Sequence, residues 1–491
     1  MSFSGPEAQP TVPTDDIIYL SPTDDTKILR HVSLVVCLYF EHVLDPQRLC
    51  DALEVLLTSN REWRYLGGRS RLDTKVRLQM TNRLQVHVPQ AFSKQRPAFR
   101  YTHYDHGSTS IAASGSQAGF LASLAALSQS SISLLPGDIS VAYLFKDVAS
   151  PKALRDWIYT DTPILSLHVT SFSDATCVGL GVSHTIADAG AARIMVSAWD
   201  QVLAGKSPPP LPERLFSSNE LQRRRGPLCD TDPLDVMAKG HDGKGAAVAL
   251  CLVRGWRLFL LQAAFVLDLV WHRREKKRLI YLPKAFVQDL HKDAMQDLPA
   301  GQWMSSTDVV GAWLVKTAFP ISRCPHGVTY VQFFDLRGRS VGISPTALGN
   351  PMLRTLVRID TSPGSSILQK NAVAIRRNIQ IHTTKEEIQR QAAFRVARRN
   401  YDELFYRVGE SLLFYNSSAT SAMGSEMDWS GASYADSVAK NSSNLVSPRW
   451  IWAIGGAFWI QLNLREKDWV AIERELAGQA DIWKEMDDFR H

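Results

Sequence analysis

The chain has 491 residues, of which 45% are hydrophobic and 21% charged, and a formal net charge of +6. That leaves room for two or three domains of ordinary size with the composition of a soluble globular protein. The small charge, with no basic stripe carrying interleaved aromatics, argues against a nucleic-acid binder. The six cysteines (37, 50, 177, 229, 251 and 324) form no CxxC pair and no metal-type spacing, which points to reduced thiols inside a cell.

Residues 1–16 are polar and proline-bearing, without the apolar run of a secretory leader, so a disordered N-terminus and a cytoplasmic location are expected. Leu20-Ser-Pro-Thr-Asp24 reads as a turn, and His31 to Phe40 as a buried strand rich in β-formers. Asp45-Pro46 opens a helix with Leu49, Leu53, Leu56 and Leu57 on one face. Gly67-Gly68-Arg69 is a turn before a strand near 76–88, and a loop rich in Ser, Gly and Ala covers about 106–131. Two strands, Leu165–Phe172 and Thr176–Ser183, are joined through Ser173-Asp174-Ala175, a connection short enough for a hairpin.

The second of these strands leads into the stretch that carries the chemistry. Val178, Leu180 and Val182 alternate with small residues, the period of a half-buried strand. His184 follows the strand, Asp188 lies four residues on, and a helix reads from Gly190 to Leu203 with Met195, Trp199 and Val202 on its apolar face. A histidine between a strand and a helix start is held on rigid elements, which suits a proton-transfer group. A lone His-x-x-x-Asp also arises by chance, so the rest of the chain has to support it.

Lys206-Ser-Pro-Pro-Pro-Leu-Pro212 ends the first half, and the polar segment to about 245 reads as a crossover. The most apolar stretch is 246–271. Only ten uncharged residues separate Arg257 from Asp268 there, half of the ~20 that a spanning helix needs. A long helix is expected, either buried or, with the basic run Arg273 to Arg278, in weak peripheral contact with an anionic membrane surface. Strand Leu279–Leu282 resumes the fold, and Ser305-Ser-Thr-Asp308 is a capping box before a helix with Val309, Val310, Trp313 and Leu314 on one face. Thr329–Phe334 reads as a strand, 363–380 and 384–412 as helices, and 450–454 and 457–464 as strands before a C-terminal helix. Helices and strands interleave in both halves, so the class is α/β (α+β) with two sheet-based domains.

Other catalytic templates fail on inspection. Gly181-Val-Ser-His-Thr185 has threonine where a nucleophile elbow needs its last glycine. Gly179-Leu-Gly-Val-Ser-His184 lacks the third glycine of a dinucleotide site. His184 and Asp188 have no further ligands at metal-binding spacing, so no metal is expected.

Several stretches, in order, resemble the BAHD-type acyl-CoA-dependent acyltransferases, in a branch similar to those of fungal secondary metabolism. Leu20-Ser-Pro-Thr-Asp24, Leu66-Gly-Gly-Arg69, His184-Thr-Ile-Ala-Asp188, Asp335-Leu-Arg-Gly-Arg339 and Gly349-Asn350 resemble family motifs, and Trp199 matches a family tryptophan. Asp428-Trp-Ser-Gly431 is a degenerate version of another. The resemblance covers roughly 17–475. Ala189 stands where the family has a glycine after the aspartate, with Gly190 one place late, so the loop geometry is expected to differ.

The resemblance implies two similar chloramphenicol-acetyltransferase-like domains, each a mixed sheet with flanking helices, with a channel between them. The expected spans are 17–205 and 276–491, joined by 206–275. It implies an O-acyltransferase, monomeric and without bound cofactor, that moves an acyl group (acetyl by default) from acyl-CoA to a small-molecule alcohol such as a terpenoid or polyketide. His184 would be the general base in a ternary complex, and Asp188 would turn away to pair with an arginine. Asn416 and Ser417 are candidates for the oxyanion or substrate. Arg337 and Arg339 are candidates for pairing with Asp428 or for contacting CoA phosphates. The rival readings are a condensation-type enzyme with a carrier-bound donor and a non-catalytic metabolite binder. The first normally has His-His-x-x-x-Asp-Gly, where Ser183 and Ala189 stand here.

Overall fold

Two large sheets organise the computed structural model, and each takes a strand from the far half of the chain. The structure describes residues 12–20, 24–26, 29–73, 84–115, 118–119, 121, 131–136, 142–151, 154–211, 251–252 and 275–296. It also describes 298–299, 301–318, 327–338, 343–361, 367–388, 405–406, 411–419, 433–435, 449–454, 457–477 and 483–485.

In chain order the strands begin with β1 (Asp16–Tyr19), β2 (Ser33–Phe40), β3 (Arg69–Leu72), β4 (Leu84–Val88), β5 (Arg100–Asp105) and β6 (Ile132–Pro136). Next come β7 (Leu165–Ser171), β8 (Thr176–Ser183), β9 (Cys251–Leu252), β10 (Glu275–Leu282), β11 (Val328–Asp335) and β12 (Met352–Ile359). The last are β13 (Phe405–Tyr406), β14 (Ser411–Ala419), β15 (Ser433–Ala435), β16 (Arg449–Ile454), β17 (Ala457–Arg465) and β18 (Trp483–Glu485). The longer helices are α1 (Pro46–Thr58), α2 (Ala189–Leu203), α3 (Lys284–Met295), α4 (Ser306–Ala318), α5 (Ile367–His382) and α6 (Glu466–Ala477).

The five-stranded sheet has the order β15-β2-β8-β7-β5, and the eight-stranded sheet β12-β11-β14-β16-β17-β10-β6-β18. Thus β15 comes to the first sheet from the C-terminal half, and β6 goes to the second sheet from the N-terminal half. β7 and β8 form an antiparallel hairpin in the register Leu165↔Val182 to Ser171↔Thr176. On its other edge β8 runs antiparallel to β2, Ser33 opposite Ser183. Every residue of β8 is buried, so the strand that ends at His184 is an inner strand covered on both faces.

Three apolar clusters hold these layers. One packs α1 and α2 against the five-stranded sheet, and a second packs α4, α5 and α6 around the eight-stranded sheet. The third joins the two: Val35, Cys37, Phe172 and Cys177 meet Leu135 of β6 and Leu279 of β10. Helix α1 starts where Asp45 caps it, its carboxylate accepting the Gln47 amide at 2.9 Å with Pro46 in the first position. Trp199 of α2, fully buried, donates its indole N–H to the Leu49 carbonyl at 3.1 Å and pins the two helices together. Asp308 accepts from the Ser305 amide at 2.7 Å and hydroxyl at 2.8 Å, which is the capping box at the start of α4.

Two expected helices are corrected where they can be followed. In 246–271, Cys251 and Leu252 are strand, paired with Phe405 and Tyr406; the rest lies outside the described residues. In 384–412, residues 385–388 are helical, but 405–406 and 411–412 are strand. There β14 runs between β11 and β16, and pairing on both edges overrides a helical pattern. Among the described residues no helix is long and apolar enough to cross a membrane.

Gly179 shows how tightly β8 is enclosed: a Cβ there would lie 1.7 Å from the carbonyl oxygen of Phe145. Gly179→Ala is therefore expected to destabilise the protein by about 1–3 kcal/mol or more. The shift should be visible as a lower thermal midpoint, and an unchanged midpoint would show that the segment around Phe145 yields freely.

Candidate active site

His184 emerges directly from the end of β8, and its backbone is fixed on both sides. Its amide donates to the Val32 carbonyl at 3.0 Å, and its carbonyl accepts from the Asn350 side-chain amide at 2.9 Å. The residue keeps partial exposure although protein surrounds the imidazole on most sides. Its Nδ1 is buried, and no group among the described residues meets hydrogen-bond geometry with it. Burial is the largest influence on the ring and pushes its pKa below the ordinary value. Its own carbonyl, Asp188, Asn350 and the Ala187 carbonyl oppose that shift without reversing it. The ring is therefore neutral at neutral pH and able to accept a proton.

Asp188 faces away from this chemistry. It caps α2, accepting the Ala191 amide at 2.8 Å, and forms a two-pronged pair with Arg337 at 2.7 and 3.0 Å. Arg337 also donates to the carbonyls of Ala347 (2.6 Å) and Gly349 (2.9 Å) and to Asp335 (3.0 Å). Its Nε and both terminal nitrogens are engaged, and its side chain is only 4% exposed. Burial works against the guanidinium charge, yet Asp188 and Asp335 hold its pKa above the ordinary value. Such a residue is a strut between two loops, with no free edge to offer a CoA phosphate.

The strut is reinforced by backbone pairing. Ala187 bridges Gly349 in parallel fashion, the Gly349 amide donating to Ile186 at 3.0 Å and the Asp188 amide to Gly349 at 3.3 Å. Gly349 has a φ of +79°, which favours glycine at this crossing. Gly190 is needed for a different reason: a Cβ there would meet Arg337 Nη1 at 2.5 Å. Ala189 is exposed and tolerates its methyl group. The one-place displacement of the glycine thus leaves room for Arg337 over the first turn of α2.

Beyond Asn350 stands Asp24, the last residue of the Leu20-Ser-Pro-Thr-Asp24 motif. Its Oδ1 accepts from the Asn350 backbone amide at 2.7 Å and from the Asn350 side-chain amide at 2.9 Å. In the sequence Asp24 and Asn350 stand out only as motif positions, with no role of their own. No linear pattern could bring residues 326 apart together. The Leu66-Gly-Gly-Arg69 motif belongs to the scaffold: the fully buried Arg69 donates to the Gly67 carbonyl at 2.6 Å and to the Pro97 carbonyl at 2.9 Å.

Other candidates are not brought to the site by anything described. Asn416 and Ser417 lie on β14, in register with Trp450 and Ile451 of β16, and their side chains fall outside the described residues. Arg339 and Asp428 also lie outside them, so the expected Arg337–Asp428 pair has no described counterpart; Arg337 is taken by Asp188 and Asp335. Among the described residues no group of three or more His, Cys, Asp or Glu side chains could hold a metal ion.

A model described as the Transferase family matches residues 116–243. Acetyltransferase pyiB of Pyricularia grisea is 32% identical over 315 residues, which are 62% of this chain and 56% of that protein. The chain thus spans just over half the length of that relative. A protein named transcriptional regulator calD, from Penicillium decumbens, is 26% identical over 96% of this chain and 97% of its own. Among solved structures, F. sporotrichioides TRI101 complexed with coenzyme A and T-2 has a TM-score of 0.63 at 13% identity, covering 94% of this chain and 98% of that one. The chain has the mixed α/β fold of that solved structure, and part of it is similar to a fungal acetyltransferase.

The Asp188–Arg337 pair gives a direct test of the strut. Asp188→Ala leaves a buried guanidinium without its main carboxylate and is expected to cost about 3–5 kcal/mol. Asp188→Ala combined with Arg337→Met should recover a good part of that loss in thermal midpoint. Equal, independent losses from the two single substitutions, adding fully in the double variant, would contradict the pairing.

Proposed function

We propose that the protein is an acyl-CoA-dependent O-acyltransferase that transfers a short acyl group, acetyl by preference, to a hydroxyl of a small-molecule metabolite. The observation that carries this reading is the His184 imidazole, which is held at a strand end, kept neutral by burial, and bonded to no carboxylate among the described residues. The fungal acetyltransferase relative and the coenzyme A in the TRI101 complex support the choice of donor. The chain would act as a cytoplasmic monomer of two acyltransferase domains, 17–205 and 276–491, with 206–275 as crossover. The two substrates would reach His184 from opposite ends of a channel between the domains.

In this mechanism His184 takes the proton of the acceptor hydroxyl as its oxygen attacks the thioester carbon. The tetrahedral intermediate then collapses, the C–S bond breaks, and the departing thiolate receives that proton from the imidazolium. The protein itself carries no acyl group at any stage. Asn416 and Ser417 on β14 remain the proposed donors to the oxyanion. Asp188 and Arg337 act on the loop that holds His184, while Arg339 is left as the residue of that motif proposed to meet CoA.

The full-length similarity to a protein named as a transcriptional regulator favours a second reading, in which the fold binds a metabolite without turning it over. His184→Ala separates the two. It should lower turnover about 10²-fold or more while acyl-CoA binding and the thermal midpoint are retained. Undiminished turnover in the folded variant would exclude the base role; absence of acyl transfer by the wild type across an acyl-CoA and alcohol panel would favour the second reading. Because the working form is the neutral ring and its pKa is lowered, kcat/KM should stay flat as pH falls through 6.5 and drop only below it. A drop centred well above 6.5 would contradict that assignment.

A further inference from the structure

We propose that Asp24 and Asn350 form a positioning relay for His184: Asp24 locks the Asn350 amide so that its Oδ1 accepts the Nδ1 proton of the imidazole, leaving Nε2 as the proton acceptor. The mechanistic part rests on the acyltransferase reading above; the tautomer assignment does not. The Asn350 side-chain nitrogen donates to two pure acceptors, the Asp24 carboxylate at 2.9 Å and the His184 carbonyl at 2.9 Å. A flipped amide would set its oxygen against both, so the hydrogen-bond pattern permits one orientation. Asp24 is 2% exposed and Asn350 3%, and no bulk water competes for these bonds. The same Asp24 oxygen receives the Asn350 backbone amide at 2.7 Å, which fixes the main chain along with the side chain.

Among the described residues, two buried atoms of this arrangement have no hydrogen-bond partner, Asn350 Oδ1 and His184 Nδ1. An unsatisfied buried polar atom is costly, and a proton on Nδ1 would make the one atom a donor for the other. The other polar groups against the ring point the same way. The carbonyls of His184 and Ala187 and the Asn350 side chain all favour a proton on the imidazole. Asp188 cannot serve as orienter, because both of its oxygens are taken by Arg337 and the Ala191 amide. Orientation of the base thus falls to a turn near the start of the chain and a loop after β11, which meet only in the folded protein.

The test is the ring nitrogen spectrum of the full-length protein labelled with ring-¹⁵N histidine, with His184 assigned through His184→Gln. The wild type at pH 7–8 should show Nδ1 protonated and Nε2 bare. Asp24→Asn, which can turn its own amide nitrogen towards Asn350, should give a mixed tautomer. It should also lower kcat roughly tenfold or more while KM for acetyl-CoA stays unchanged. Asn350→Ala should do the same if it folds. A wild-type His184 protonated on Nε2 overturns the proposal without need of any variant. So does an Asp24→Asn protein with both the wild-type tautomer and the wild-type kcat. Failure of the acyltransferase reading would leave the wild-type ring spectrum as predicted, so the two ideas fall separately.

Discussion

The ion pair between Asp188 and Arg337 is the constraint on which the rest of the site depends. It ties the loop that follows β8 in the five-stranded sheet to the loop that follows β11 in the eight-stranded sheet. Buried charges of this kind are stable only when their bonding is complete, and Arg337 has a partner on each of its three nitrogens. With that pair in place, residues 186–188 run alongside 349, and Asn350 arrives at the carbonyl of His184. The histidine is thus positioned by a junction of two sheets rather than by its own strand alone.

That junction also explains two features of the chain that look unrelated. Each large sheet takes a strand from the other half, β15 into one and β6 into the other, while a shared apolar cluster fills the space between. A histidine held at such an interface is sensitive to how the halves sit together. Close approaches of the Phe145 backbone to Gly179 and of the Arg337 side chain to Gly190 reduce the freedom of both halves near the histidine. Asp24 adds a third tie, since it reaches Asn350 from the turn that precedes β2.

Much of this architecture was legible from local pattern. The β7–β8 hairpin, helices α1, α2 and α4, and the late strands β16 and β17 follow from alternation, capping residues and short connections that act over a few positions. The failures share a cause. Cys251–Leu252 and β14 are strands because of what they pair with, and their partners lie far away in the chain. The site divides the same way. His184 and Asp188 stand four residues apart on rigid elements and can be picked out from the sequence. Asn350 and Asp24 become legible only when the fold sets them 2.9 Å apart. The late glycine looked like a disturbance of the loop, yet Gly190 is where Arg337 needs space.

The proposed reaction is direct transfer, with His184 moving a proton and the protein never carrying the acyl group. The most direct measurement is the intact mass of the protein together with the thiol released after mixing with acetyl-CoA, with and without a panel of alcohol acceptors. Direct transfer leaves the protein mass unchanged in every case and gives fast release of CoA only when an accepted alcohol is present. A stoichiometric acyl adduct on the protein, or CoA released at the same rate with no acceptor, would contradict it.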